Sequence, residues 1–124
     1  VFLDINKFKT INDTYGHLIG DQVLKYLLKF LQKQLDYPSV HIIRYAGDEF
    51  LIIFGEEIIS ELNVEDKMLD VQEKLSNQKL KSAKIDNLQF SFSYGILEFK
   101  KDDNVVDILT KADKLMYENK QKNR

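Results

Sequence analysis

The chain has 124 residues, 44% of them hydrophobic and 31% charged, with 18 Lys and Arg against 20 Asp and Glu. That length and apolar content describe one small folded domain and exclude a second core or intrinsic disorder. A formal net charge of -2 excludes the strongly basic face of a general nucleic-acid or membrane-surface binder, and zero cysteine with two distant histidines excludes disulfides, zinc-thiolate sites and cysteine nucleophiles.

Val1-Phe2-Leu3-Asp4-Ile5 reads as a short buried strand, and the Lys-, Asn-, Thr- and Gly-bearing stretch that follows as far as Gly20 reads as a loop or short helix. From Asp21 the apolar residues Val23, Leu24, Leu27, Leu28, Leu31 and Leu35 recur at helical spacing, with Asp21 suited to the N-cap and Pro38 ending the region. The runs His41–Tyr45 and Phe50–Phe54 flank Ala46-Gly47-Asp48-Glu49, the strongest hairpin signal in the chain. Val64, Met68, Val71 and Leu75 predict a second helix capped by Asn63, and a polar stretch from Gln78 to Asn87 leads to a strand predicted over Leu88–Phe99. Asn104 caps a last helix that turns Val105, Ile108, Leu109, Ala112, Leu115 and Met116 inward.

The order β-α-β-β-α-β-α predicts an α+β domain with a mainly antiparallel central sheet flanked by helices. No apolar run approaches the roughly 20 residues of a membrane span and no charged leader opens the chain, so the expectation is a cytoplasmic domain. Because the chain starts at Val1, already inside an apolar run, a piece truncated at its N-terminus from a longer protein is expected.

Asp4 interrupts an otherwise apolar strand, where a buried carboxylate costs several kcal/mol unless it is paired, hydrogen-bonded or metal-bound. If the first strand and the hairpin are neighbours, Asp4 approaches Asp48 and Glu49, and a divalent cation would relieve the repulsion among them. Magnesium suits hard oxygen ligands and commonly shares a site with phosphates. On spacing alone, an ordinary exposed turn accounts for Asp48 and Glu49 at least as well. Lys7, Lys9 and Arg44 could grip phosphate oxygens, yet scattered cations are mostly solvated. Asn12, Asp13 and Asp21 could read a nucleobase edge, while turn formation and capping explain the same residue types. His17 has no serine or cysteine partner and reads as a loop histidine.

Four ordered blocks change that balance: Asp4 through Asp21 (DINKFKTINDTYGHLIGD), Arg44–Phe50 (RYAGDEF), Ser93–Ile96 (SYGI), and Ala112-Asp113 through Tyr117, Lys120 and Arg124. Together they span nearly the whole chain and resemble the GGDEF domain of diguanylate cyclases. The resemblance implies a fold related to nucleotide cyclase and polymerase palm domains. It also implies condensation of two GTP molecules into cyclic di-GMP with release of two pyrophosphates. Each domain would hold one GTP and act as a homodimer, commonly behind an N-terminal sensory or dimerisation domain, in some members a membrane-bound sensor. By position, Asp4, Asp48 and the backbone carbonyl of Ile5 would ligate magnesium, with manganese as the alternative cation. Asp48 would serve as base, Glu49 would support the metal site, and Lys9, Lys120 and Arg124 would contact phosphates. Asn12 and Asp21 would hydrogen-bond guanine, and Ala46 and Gly47 lie where backbone and guanosine approach closely.

The chain departs from the family pattern at several positions. Ala46 replaces the first signature glycine, Asn6 stands where many members carry a second acid, and Asn123 replaces a glycine before Arg124. Tyr37 and Val40 occupy the places of an Arg and an Asp in the family's product-inhibition pattern, so that pocket is expected to be missing. Asn6 and Ala46 keep open an alternative, a degenerate domain that binds GTP and regulates an attached domain without catalysis.

Overall fold

A computed structural model describes residues 1–78 and 88–122; of the sequence readings, the polar stretch over 79–87, Asn123 and Arg124 lie outside the described residues. Among the described residues, four strands form one sheet in the order β2-β3-β1-β4: β1 Phe2–Ile5, β2 Val40–Ala46, β3 Glu49–Phe54 and β4 Phe92–Gly95. Every neighbouring pair is antiparallel, as the hairpin signal and element order predict. Five helices accompany the sheet within the same residues: α1 Phe8–Tyr15, α2 His17–Gln34, α3 Glu56–Ile59, α4 Val64–Ser76 and α5 Val105–Lys122.

Strand alternation sorts the sheet into two faces. Leu3, Ile5, Phe50, Ile52 and Phe92 point to one face and join Val23, Leu27 and Leu31 of α2 and Met68, Val71 and Leu75 of α4 in the main core. Phe2 and Leu51 point the other way and meet Leu109, Ala112 and Met116 of α5 in a smaller cluster. Beyond the reach of α5 this second face opens, and Tyr45 of β2 lies edge-on to Phe2 with ring centroids 5.6 Å apart.

Four expectations are corrected. Val105, read as inward-facing on the last helix, is exposed. The long helix begins at His17 rather than Asp21, so Asp21 lies inside it and caps nothing; the break comes at Gly16, whose φ of 92° stops α1 and starts α2. Gly20 is a contact point between helices, since a Cβ there would lie 1.8 Å from Asn12 Oδ1. The last strand spans Phe92–Gly95 and not Leu88–Phe99, because β1 offers it partners only from Phe2 to Ile5. Asn63 and Asn104 do cap: Asn63 Oδ1 accepts from the Asp66 amide, and Asn104 Oδ1 from the amides of Val106 and Asp107.

Candidate active site

β1 carries Asp4 into the second face of the sheet, between Glu49 of β3 and Ser93 of β4 in the two ladders. The β2–β3 hairpin turns at Gly47-Asp48, flanked by the pair Ala46 and Glu49, and a bulge between Arg44 and Ala46 tightens it. Two bonds fix the turn, one to β1 and one within the hairpin. The Ile5 amide donates to the Asp48 carbonyl at 3.2 Å, and Arg44 Nε donates to the Gly47 carbonyl at 3.0 Å. Arg44 therefore braces the turn from within.

Gly95 brings α5 into the site. A Cβ on Gly95 would come within 2.5 Å of both the Ala112 carbonyl oxygen and the Met116 amide nitrogen, so only glycine lets α5 pass this close to β4. That approach delivers Lys120 to the sheet, where its Nζ donates to Asp4 Oδ2 at 3.1 Å in a largely buried ion pair. Asn119, one residue earlier, accepts from the Tyr94 amide at 3.1 Å and pins the same turn of helix.

Asp4 is 9% exposed. Burial and the facing Asp48 carboxylate push its pKa up to about 7, against the opposing pull of Lys120. Its Oδ1 is the single buried side-chain polar atom without a hydrogen-bond partner among the described residues. Glu49 is also shifted upward, by burial and by the negative charges of Asp48 and Asp113, with Lys120 again opposing. The arrangement is a half-buried cluster of carboxylates with one ammonium placed among them. Such a cluster binds a cation readily, because neutralising it removes both the desolvation and the repulsion.

A divalent hard cation fits on two observations. Asp4 Oδ1 is buried and unpartnered, and the neighbouring carboxylates and backbone offer oxygen donors, which suit magnesium. Among the described residues no group of three or more His, Cys, Asp or Glu side chains is arranged to hold a metal alone. Further ligands must therefore come from backbone carbonyls, water or a bound phosphate.

The remaining candidates lie around this centre. Ile5 is buried at the end of β1, and Lys9 is exposed in the first turn of α1, a turn without acidic side chains. Asn12 is half-buried on α1 with its side-chain oxygen against Gly20, and Asp21 follows Gly20 on the exposed side of α2. Ala46 and Gly47 are exposed. Gly47 has no positive φ, and a Cβ there would meet nothing within 4 Å, so neither the backbone nor the packing demands a glycine. Its bare surface suits close approach of a ligand. Arg124 lies outside the described residues. Sequence reasoning missed Asp113 as a charge acting on Glu49, the Ser93 hydroxyl opposite Asp4, and the Ser91 hydroxyl on Asn6; a serine alternating with phenylalanines in a buried strand was the available signal.

The family described as "Diguanylate cyclase, GGDEF domain" matches residues 1–124. The probable diguanylate cyclase DgcI of Escherichia coli K12 is 30% identical over 98% of this chain, which covers 25% of that protein. Diguanylate cyclase VdcA of Vibrio cholerae is 31% identical over 100% of this chain and 36% of its own length. The chain thus spans about a quarter to a third of these curated relatives. The crystal structure of the GGDEF domain of DgcB from Caulobacter crescentus, in complex with c-di-GMP, matches with a TM-score of 0.78 at 26% identity, covering 99% of this chain and 71% of that one.

Proposed function

This chain belongs to the diguanylate cyclase GGDEF family, and from that premise we propose that it condenses two GTP molecules into cyclic di-GMP, releasing two pyrophosphates, when two copies face each other with one GTP each. The observation that carries the reading is the open inner oxygen of Asp4, buried beside Asp48 and counterbalanced by Lys120. An apolar core has no use for such a group. A site for a cation and a polyphosphate does.

Asp4, Asp48 and the Ile5 carbonyl would hold magnesium, or manganese in its place, which supplies neutralisation of phosphate charge and a lowered pKa for the attacking ribose 3′-hydroxyl. Lys120 already stands in the cluster and can pass from Asp4 to a phosphate oxygen when a cation takes its place. Lys9 and the first-turn amides of α1 face the phosphates as a helix N-terminus does, with Arg124 as a further cation. Asp48 accepts the proton of the 3′-hydroxyl, and Glu49 adds negative charge at the cation. Asn12 and Asp21 hydrogen-bond the guanine edge, Asp21 accepting from N1 and N2. Ala46 and Gly47 pass beneath the guanosine, where Ala adds a single methyl.

Incubating the protein with GTP and magnesium and looking for cyclic di-GMP by mass spectrometry tests the reading. Product formation supports it. Magnesium-dependent GTP binding without product would instead support a degenerate domain that regulates an attached one, the reading that Asn6 and Ala46 favour.

A further inference from the structure

A second polar group lies beside Asp4 and has no part in the chemistry above. Alternation along β1 and β4 puts Asp4 and Asn6 on one face, opposite Ser93 and Ser91. Asp4 pairs with Ser93 in the ladder, and the Asn6 amide donates to the Ser91 carbonyl at 2.9 Å. The fully buried Ser93 hydroxyl donates to Asn6 Oδ1 at 2.7 Å, while Asn6 Nδ2 donates to Ser91 Oγ at 2.9 Å. A serine hydroxyl has a single proton. Committed to Asn6, that proton is withheld from Asp4, whose Oδ1 stays without a partner. Paired residues in an antiparallel ladder have Cβ atoms roughly 4.5 to 5.5 Å apart, so a rotated Ser93 hydroxyl would reach the Asp4 carboxylate. Lys7, the next residue, holds a φ of 56°, a left-handed conformation that a lysine adopts only where its neighbours are anchored.

Resting on the cyclase reading, we infer that Asn6 is a positioning residue: by accepting the Ser93 hydroxyl and donating to Ser91, it keeps the inner oxygen of Asp4 open to a divalent cation and anchors the turn that leads into α1. Asn6→Asp preserves an acceptor for Ser93, and the Ser91 hydroxyl can reverse to donate. Asn6→Ala releases Ser93 to bond Asp4, so deleting that hydroxyl as well should reopen the site.

Titrating GTP into the protein with and without magnesium separates the cation-dependent part of binding from the rest. Asn6→Ala should cut the magnesium-dependent gain about tenfold while magnesium-free affinity stays within about twofold. Asn6→Asp should retain the gain within about threefold, and Asn6→Ala with Ser93→Ala should recover most of the loss. A full gain in Asn6→Ala, or a double variant no better than the single one, overturns the inference while leaving the cyclase reading standing. A parent protein whose GTP affinity ignores magnesium sinks the cyclase reading, and this inference with it. Should Asn6→Ala fail to fold, Ser93→Ala decides: without that hydroxyl nothing remains to bond Asp4, so the gain should stay within about threefold, and a roughly tenfold loss there overturns the inference.

Discussion

The two faces of β1 are built on opposite principles although they alternate residue by residue. Leu3 and Ile5 are 0% exposed and sit in an apolar core where, among the described residues, no buried side-chain polar atom is left unpaired. Phe2 and Asp4 face the other way, and there a carboxylate is buried without its full set of partners. The first face is stabilised by area removed from water, roughly 25 cal/mol per Å². The second holds charge in a poorly solvated place, which costs stability and creates a strong local preference for cations. A four-residue strand thus carries both an anchor of the core and the carboxylate whose inner oxygen is buried without a partner.

The sharpest way to separate the faces is to disable each in turn. Asp48→Ala should reduce cyclic di-GMP formation about a thousandfold or more in an initial-rate assay, a loss of roughly 4 kcal/mol in transition-state stabilisation. Its thermal unfolding should stay within a few degrees of the parent, because a half-buried turn carboxylate contributes little packing. Unaltered turnover in a folded variant would end the assignment. Ile52→Ala, on the core face, should do the reverse: a cost of about 3 kcal/mol in chemical denaturation, with the surviving folded protein still binding GTP.

Gly95→Ala joins the two. The added Cβ collides with backbone at 2.5 Å, which side-chain rotation cannot relieve, so α5 must move. We expect a loss of about 2 kcal/mol in stability and a weakened grip on GTP through a displaced Lys120. A variant equal to the parent in both measurements would show that α5 is not set by this contact.

Asp21→Ala should lower GTP affinity about tenfold or more, since a charged acceptor for guanine contributes roughly 1.5 to 3 kcal/mol. Because Asp21 is exposed within α2 and caps nothing, stability should change by less than about 0.5 kcal/mol. Equal binding of ATP and GTP by the parent would refute its role.

The smallest expected effect depends on pH. Asp4 has a folded pKa of about 7 against 3.8 in the unfolded chain. Between those values the unfolded state gives up its proton while the folded state keeps it, so the metal-free protein loses stability as pH rises from about 4 to about 7. Asp4→Asn removes that cost and should raise the metal-free melting temperature at about pH 8 by a few degrees, on the order of 1 kcal/mol, with little difference near about pH 4. Magnesium binding by the parent should strengthen over the same interval, because proton and cation compete for one carboxylate. A pH-independent difference between the two proteins would mean that Asp4 is not held neutral by its surroundings.

The amino-acid sequence by itself determined the features that repeat locally. Apolar β-rich runs, a turn signal and helical spacing marked four strands and the three long helices, and Asn63 and Asn104 marked two helix starts, because those signals depend only on a residue and its neighbours. The oddity of Asp4 within an apolar run was equally visible. Only the tertiary structure decided where α2 begins, since the stretch to Gly20 read as a loop or short helix, whereas Gly20 is a crossing point within α2 against Asn12. Strand length in β4 was likewise set by its partner β1. The pairing of Lys120 with Asp4 spans 116 residues, and it exists because Gly95 admits α5 to the sheet. The same holds for the Asn6, Ser91 and Ser93 hydrogen bonds. Charge and donor types can be read from a sequence, but whether a carboxylate is desolvated, and which proton reaches it, depends on distances that only packing of remote segments sets.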